Sequence, residues 1–218
     1  MDANWFEGAW RDREDRVYHE LFGDLGPGIY TLDAEVFGKF GQKNLDPCWL
    51  THGVFECPPN DRRSSWLYVS SGLSNAWDDT APEPDAISGL GSEFLMETVE
   101  QSRWAIVILR QLVAYQILLA HGRYPGKVVL GFWDWIDLRT PIDSSASLMT
   151  KVLFIPSPNN GGPRQLSTGR FSFLQIVGLT GEELAFMQKH GVAKLHPLLL
   201  QMGAAPVINP KRSSIPLE

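Results

Sequence analysis

Two cysteines in 218 residues are too few for a disulfide scaffold. Cys48 and Cys57 therefore read as free thiols of a reducing compartment. Basic runs are missing as well: 19 Lys and Arg stand against 25 Asp and Glu, a formal charge of −6. Such a balance argues against a general binder of nucleic acid or of anionic membranes, which needs an excess of positive charge. No uninterrupted apolar run is long enough to cross a bilayer. The longest, Trp104 to Ala120, is short and carries Arg110, Gln111 and Gln116, so it reads as a buried helix. At the start, MDANWFEGAWRDRED has no apolar stretch behind a positive one, and no secretory leader is expected. These absences together predict a cytoplasmic protein. Internal repeats and low-complexity tracts are lacking too.

Aromatic residues are plentiful, with eight Trp and eleven Phe. A chain of this length is expected to form one domain, residues 1–218, burying roughly 70–75% of its unfolded surface without staples. Val17, Tyr18, Leu21 and Phe22 fall on one helical face, and Gly23 with Gly26-Pro27-Gly28 ends that helix. Strands are expected at 28–32, 50–56, 66–71, 93–99, 127–133, 151–155, 171–177 and 206–208. In the fourth, Phe94, Met96 and Thr98 alternate with Glu93, Leu95 and Glu97, which predicts one wetter face. Helices are expected at 102–121, 181–189 and 192–202, and an exposed loop at 156–168. Hairpin-like strands mixed with isolated helices indicate an α+β fold and not a doubly wound sheet.

The stretch FSFLQIVGLTGEEL passes from a strand into a helix, as many phosphate sites do. Here Thr180 and Glu183 match a capping box, which occupies two amide donors that a phosphate would use. Glu182 and Glu183 add negative charge at the positive end of the helix dipole and repel an anion. No phosphate-loop glycine and lysine pattern is present, so the junction is structural and no cofactor is expected. Cys48, His52 and Cys57 are spaced C-x3-H-x4-C, an uncommon zinc pattern that needs a distant fourth ligand; no metal is expected. A cysteine- or metal-dependent hydrolase using Cys48 and His52, or the acidic loop 78–85, stands as the alternative. No G-x-S-x-G is present, since Gly72-Leu73-Ser74-Asn75-Ala76 fails at its last position.

Acidic residues gather at Asp78, Asp79, Glu83 and Asp85, with Asp134 and Asp137 further on. The segment WDDTAPEPDAISGLG, from Trp77, is long for a connection between two strands and sets an exposed-looking Trp among acids. Long connections of this kind often bind partners. An aromatic ringed by acids suits a peptide with basic character.

Four motifs in one order carry a family resemblance from about Val17 to Arg212: YVSSGLSNAWDD, SGLGSEFLMET, TPIDSSASLMTKVLF and FSFLQIVGLTGEELAFMQKHGVAKLHPLL. Their pattern resembles the Suppressor of fused family. The resemblance implies a central mixed, mostly antiparallel sheet packed with helices, like the family's N-terminal domain. It also implies a non-enzymatic binder of another protein or peptide. Eukaryotic members grip a peptide as an added strand between this domain and a second one. This sequence ends near Glu218 without that second domain, which resembles the compact bacterial members, many thought to be immunity proteins against a toxin. By the same resemblance Trp77 stands where the family has a peptide-contacting Tyr, and Asp85 where it has an acidic partner. Trp77, Asp78, Asp79 and Asp85 are thus the expected partner-binding residues, and a basic toxin is the expected partner.

Overall fold

The computed structural model describes residues 3–77 and 85–217, with side chains from residue 7 onward. Among the described residues, nine strands form one mixed sheet. Its main path runs β1 (Ile29–Thr31), β2 (Gly53–Cys57), β3 (Trp66–Ser71), β4 (Ile87–Thr98), β8 (Gly169–Thr180), β6 (Met149–Pro156) and β5 (Trp135–Asp137). The short β7 (Arg164–Leu166) pairs with β8, and β9 (Val207–Ile208) with β4. Among the described residues the pairs β4–β8 and β4–β9 are parallel and the others antiparallel, which makes the domain α+β with a mostly antiparallel sheet.

Alternation along each strand sends side chains to two covered faces. Val54, Tyr68, Phe94, Met96, Phe154 and Ile176 pack beneath helix α4 (Arg103–Ala120). α4 has the length and apolarity of a membrane span, yet Ala105, Leu109, Val113 and Ile117 are buried in this core. On the opposite face, Phe55, Leu67, Val69, Leu95 and Phe173 meet Val17, Tyr18 and Phe22 of the N-terminal helical segment. That segment runs through α1 (Ala3–Arg11), a π-helical stretch (Asp12–Tyr18) and α2 (His19–Phe22). Further along the same face, Leu153, Ile155, Val177 and Leu179 pack on α5 (Gly181–His190) and α6 (Val192–Gln201). The short α3 (Ala34–Gly38) and a 3-10 turn (Pro47–Thr51) sit on the α4 side, where the Phe37 and Trp49 rings meet tilted, with centroids 5.4 Å apart.

Several expectations change. The apolar run 127–133 is not a strand; Gly131 N–H is held by the Asp134 carboxylate at 2.8 Å and Trp133 has φ +74°, so a turn precedes β5. The segment expected as a strand from residue 50 begins with the 3-10 turn, capped where Asp46 accepts the Cys48 N–H at 2.9 Å. β4 starts at Ile87, six residues earlier than its alternation suggests, and the two glutamates expected on a wetter face, Glu93 and Glu97, are buried. Within the expected loop 156–168, β7 buries Leu166. The capping box at Thr180 forms as read, with Thr180 N–H donating to Glu183 at 2.9 Å and Glu183 N–H to the Thr180 hydroxyl at 3.3 Å.

Candidate functional site

The Gly-Leu-Ser-Asn turn after β3 builds the site. Gly72 has φ +126°, and a Cβ there would lie 2.6 Å from the His52 ring. Gly89, with φ +56°, lets β4 approach the same turn; a Cβ would lie 2.6 Å from the Leu73 carbonyl oxygen. Glycine is required at both places because L side chains rarely adopt these angles and no room is left. The two glycine motifs of the sequence are thus one device, seating a strand on a turn.

Beneath the turn lies a buried polar network. The Glu93 carboxylate accepts from Gly72 N–H at 3.1 Å, Ser74 N–H at 2.9 Å, and the hydroxyls of Ser74 and Ser70 at 2.7 and 2.5 Å. Four donors match the acceptor capacity of an ionised carboxylate. Arg13, 1% exposed, donates to Ser71 at 2.8 Å, Ser74 at 3.2 Å and Asn75 at 2.5 Å, and lies 4.0 Å from Glu93. Burial pushes the Glu93 carboxyl upward, while Arg13 and the serine donors pull it back.

Above the turn opens a groove of about 490 Å³ between the turn, the start of β4 and the end of α4. Trp77, Trp49, Leu73, Leu90 and Ile117 supply apolar wall; Asp46, Cys48, His52, Asn75 and His121 supply polar atoms. Its size falls within the range of preformed ligand clefts. Trp77 stacks on His52 with ring centroids 6.1 Å apart and planes at 27°. Trp49 meets His121 edge-on at 4.9 Å. Nδ1 of His52 lies 3.1 Å from the Cys48 carbonyl, and Nδ1 of His121 lies 2.8 Å from that of Ile117. A carbonyl accepts only from a protonated nitrogen, so each ring carries a hydrogen on Nδ1.

Burial lowers His52 from 6.5 to about 4, with Arg13 and His121 adding smaller effects of the same sign. Between those pH values the unfolded chain binds a proton that the folded chain refuses. His52 therefore contributes stability that is complete above pH 6.5 and lost as the pH falls towards about 4. Glu93 and Glu97, raised by burial, have the opposite sign. Comparing His52→Gln with the parent isolates the imidazole: the variant should show a flatter fall of Tm between pH 6.5 and 4. Parallel curves would assign the acid sensitivity to other groups.

Of the expected partner-binding residues, Trp77 lines the groove, half-buried instead of fully exposed. Asp85 stands two residues before the wall residue Ile87, with its side chain 96% exposed and its carboxylate 3.9 Å from Arg170. Asp78, Asp79 and Glu83 lie outside the described residues. Asp46, Trp49, Asn75 and His121 were not expected here; they come from three separate stretches, and no local pattern joins them. The Cys-His-Cys spacing does not assemble. Cys48 and His52 belong to the groove, while Cys57 is buried in the core on the other face of the sheet, its thiol pushed up to about 12 by burial. Among the described residues no three His, Cys, Asp or Glu side chains gather closely enough to hold an ion.

A covered α+β sheet carrying a groove at a glycine-built turn defines the class of domain. The Suppressor of fused protein (SUFU) family model matches residues 49–213, and the chain belongs to that family. No curated protein matches the sequence. Among solved structures, a Sufu–Fu complex is similar over 95% of this chain and 92% of that one, with 19% identity and a TM-score of 0.67. A putative SUFU homologue from Neisseria gonorrhoeae is similar over 75% of this chain and 77% of that one, with 22% identity and a TM-score of 0.51. Drosophila Suppressor of Fused is similar over 83% of this chain and 49% of that one, with 21% identity and a TM-score of 0.58. This chain thus spans about half of the Drosophila one. At these identities the likeness establishes the fold.

Proposed function

We propose that the protein is a non-enzymatic binding domain that takes a polypeptide partner at the groove beside Trp77. The observation that carries this reading is the groove itself, with two Trp and two imidazole rings in its wall and exposed Asp85 next to its rim. Large aromatic rings dominate binding energy where they fill a partner's pocket or line one. Asp46 and Asp85, on a chain of net charge −6, favour a basic partner and raise its rate of association more than its final affinity. A relative in the family is known in complex with Fu, which supports a protein as the partner class. The finer reading is a single-domain, bacterial-type, cytoplasmic member whose partner is a basic toxin that it neutralises.

The hydrolase alternative finds little support. Burial and neighbouring Asp46 push the Cys48 thiol upward, away from the reactive thiolate. Nδ1 of His52 faces the Cys48 carbonyl.

The test starts with capture of the partner from the native host and identification by mass spectrometry. The double variant Trp77→Ala, Asp85→Ala should bind that partner on the order of 30-fold more weakly, as loss of one aromatic hot spot of about 2 kcal/mol implies. Its circular dichroism should match the parent. Undiminished affinity in a folded double variant would remove the groove as the binding site. Association that shows no salt dependence would remove the electrostatic part alone.

A further inference from the structure

A loop of small and polar residues, 157–163, joins β6 to β7. It holds the sole Asn-Gly pair of the sequence, Asn160-Gly161. An asparagine before a glycine is chemically vulnerable. The next backbone nitrogen can reach the side-chain carbonyl carbon, and no Cβ stands in its way. A fold suppresses that attack in two ways. It engages the attacking N–H in a hydrogen bond, or it holds the carboxamide in place.

The other asparagines with described side chains are restrained. Asn60 Nδ2 donates to the Phe22 carbonyl at 2.8 Å, and its Oδ1 accepts from the Arg62 and Arg63 N–H groups at 2.9 and 3.1 Å. Asn75 Oδ1 accepts from Arg13. Asn209 Oδ1 accepts from the Lys211 N–H at 3.0 Å, and the next residue is Pro210, which has no N–H. Asn44 precedes Leu45, whose side chain crowds the amide. Asn159 precedes Asn160, whose N–H is engaged, donating to the Ser157 hydroxyl at 3.2 Å.

At Asn160 neither restraint applies. Its carboxamide has no hydrogen-bond partner among the described residues, and neither has the Gly161 N–H. Gly161 is exposed and lies in neither a helix nor a strand. The reaction therefore needs no unfolding of the sheet.

We propose that Asn160 is a modification site, which deamidates spontaneously in the folded protein. The Gly161 nitrogen gives its proton to hydroxide or a buffer base and attacks Cγ of Asn160. The new C–N bond closes a five-membered succinimide, and the side-chain nitrogen leaves as ammonia with a proton from solvent. Water then opens the ring at either carbonyl, leaving an aspartyl or an isoaspartyl residue. Water is the sole co-reactant. Either product makes the net charge one unit more negative than −6. In the isoaspartyl form the main chain runs through the former side chain, so the loop is one methylene longer just before β7, which pairs with β8. The loop supplies no wall of the Trp77 groove, so the change marks aged molecules without entering that site.

The test incubates the intact protein at mildly alkaline pH beside a synthetic peptide of residues 157–163, followed by trypsin digestion and mass spectrometry. The tryptic peptide from Val152 to Arg164 should become one mass unit heavier and split into two chromatographic forms. One of them should accept a methyl group from protein isoaspartyl methyltransferase. The folded protein should convert within about tenfold of the peptide's rate, as an exposed loop allows. Conversion should slow as the pH falls, because the attacking nitrogen must lose its proton. Gly161→Ala should slow it at least tenfold; the added Cβ would lie 3.2 Å from the Ser157 carbonyl oxygen, so its Tm is checked. Asn160→Gln touches no described contact of the side chain and should slow it at least as much, since a six-membered ring closes less readily. Conversion in the folded protein more than tenfold slower than in the peptide would overturn the proposal. Earlier mass gain at another asparagine, or an unchanged rate in Asn160→Gln, would do the same.

Discussion

Arg13→Ala should lower the melting temperature by roughly 6–20 °C, since breaking a buried charge pair costs about 3–5 kcal/mol and each kcal/mol shifts Tm about 2–4 °C at this size. The guanidinium is sealed beneath the turn, and its loss leaves Glu93 buried without a cation. It also removes the donor to the Asn75 side chain, two residues before Trp77. Glu93→Leu should be as harmful, because the amides of Gly72 and Ser74 then lose their acceptor. Replacing both together, Arg13→Met with Glu93→Leu, should recover part of the loss, as no orphan charge remains in the core. Differential scanning calorimetry of the three variants decides the matter. A Tm within two or so degrees of the parent in either single variant would mean that the network contributes little.

Glu183→Ala should have a comparable effect, with a local signature. Glu183 is fully buried and does more than cap α5. Its carboxylate receives both terminal nitrogens of Arg212, at 2.5 and 3.0 Å, and the Ile215 N–H at 3.1 Å. Arg212 also reaches the Gly178 carbonyl at 3.0 Å, tying the chain after β9 to the end of β8. Ile215 packs with Leu179, Leu184 and Leu195. Without the carboxylate, the partly exposed Arg212 loses its ion-pair partner while keeping the Gly178 and Ser213 carbonyls, and the Thr180 and Ile215 amides lose their acceptor, a cost of about 2–4 kcal/mol. Limited trypsinolysis should then cut after Arg212 rapidly, and the Ile215 amide should exchange early. A variant as resistant to trypsin as the parent would show that packing of Ile215 alone holds the terminus.

The parts of the fold that sequence discloses are those set by near neighbours. Thr180 and Glu183 are three residues apart, so their mutual cap can be read directly. The period of α4 and the β-branched run before Thr180 are local too. What sequence concealed depends on distant partners. Glu93 and Glu97 look like solvent-facing residues by alternation, but their acceptors are satisfied by Ser70, Ser74 and Ser65 from another hairpin arm. The run 127–133 has strand composition, yet Gly131 and Asp134 close a turn within it. At the site, Trp77 was legible as an aromatic on a long connection; its stacking on His52 was not, since only the glycine at 72 allows the ring to come so near. The π-helical stretch left its trace only after the fact, in buried residues Arg13, Val17 and Tyr18 at intervals of four and five.

The parallel pairing of β4 with β8 has a consequence for biosynthesis. β4 lies in the middle of the sheet, and its neighbour on one side is made only after α4, β5, β6 and β7. While the chain grows from the ribosome, Leu95 and Phe94 have no strand beside them on that flank. Contacts so remote in sequence form late, and the nascent molecule carries a sticky flank in the meantime. A cell that makes this protein must keep that flank from its neighbours until residue 180 emerges.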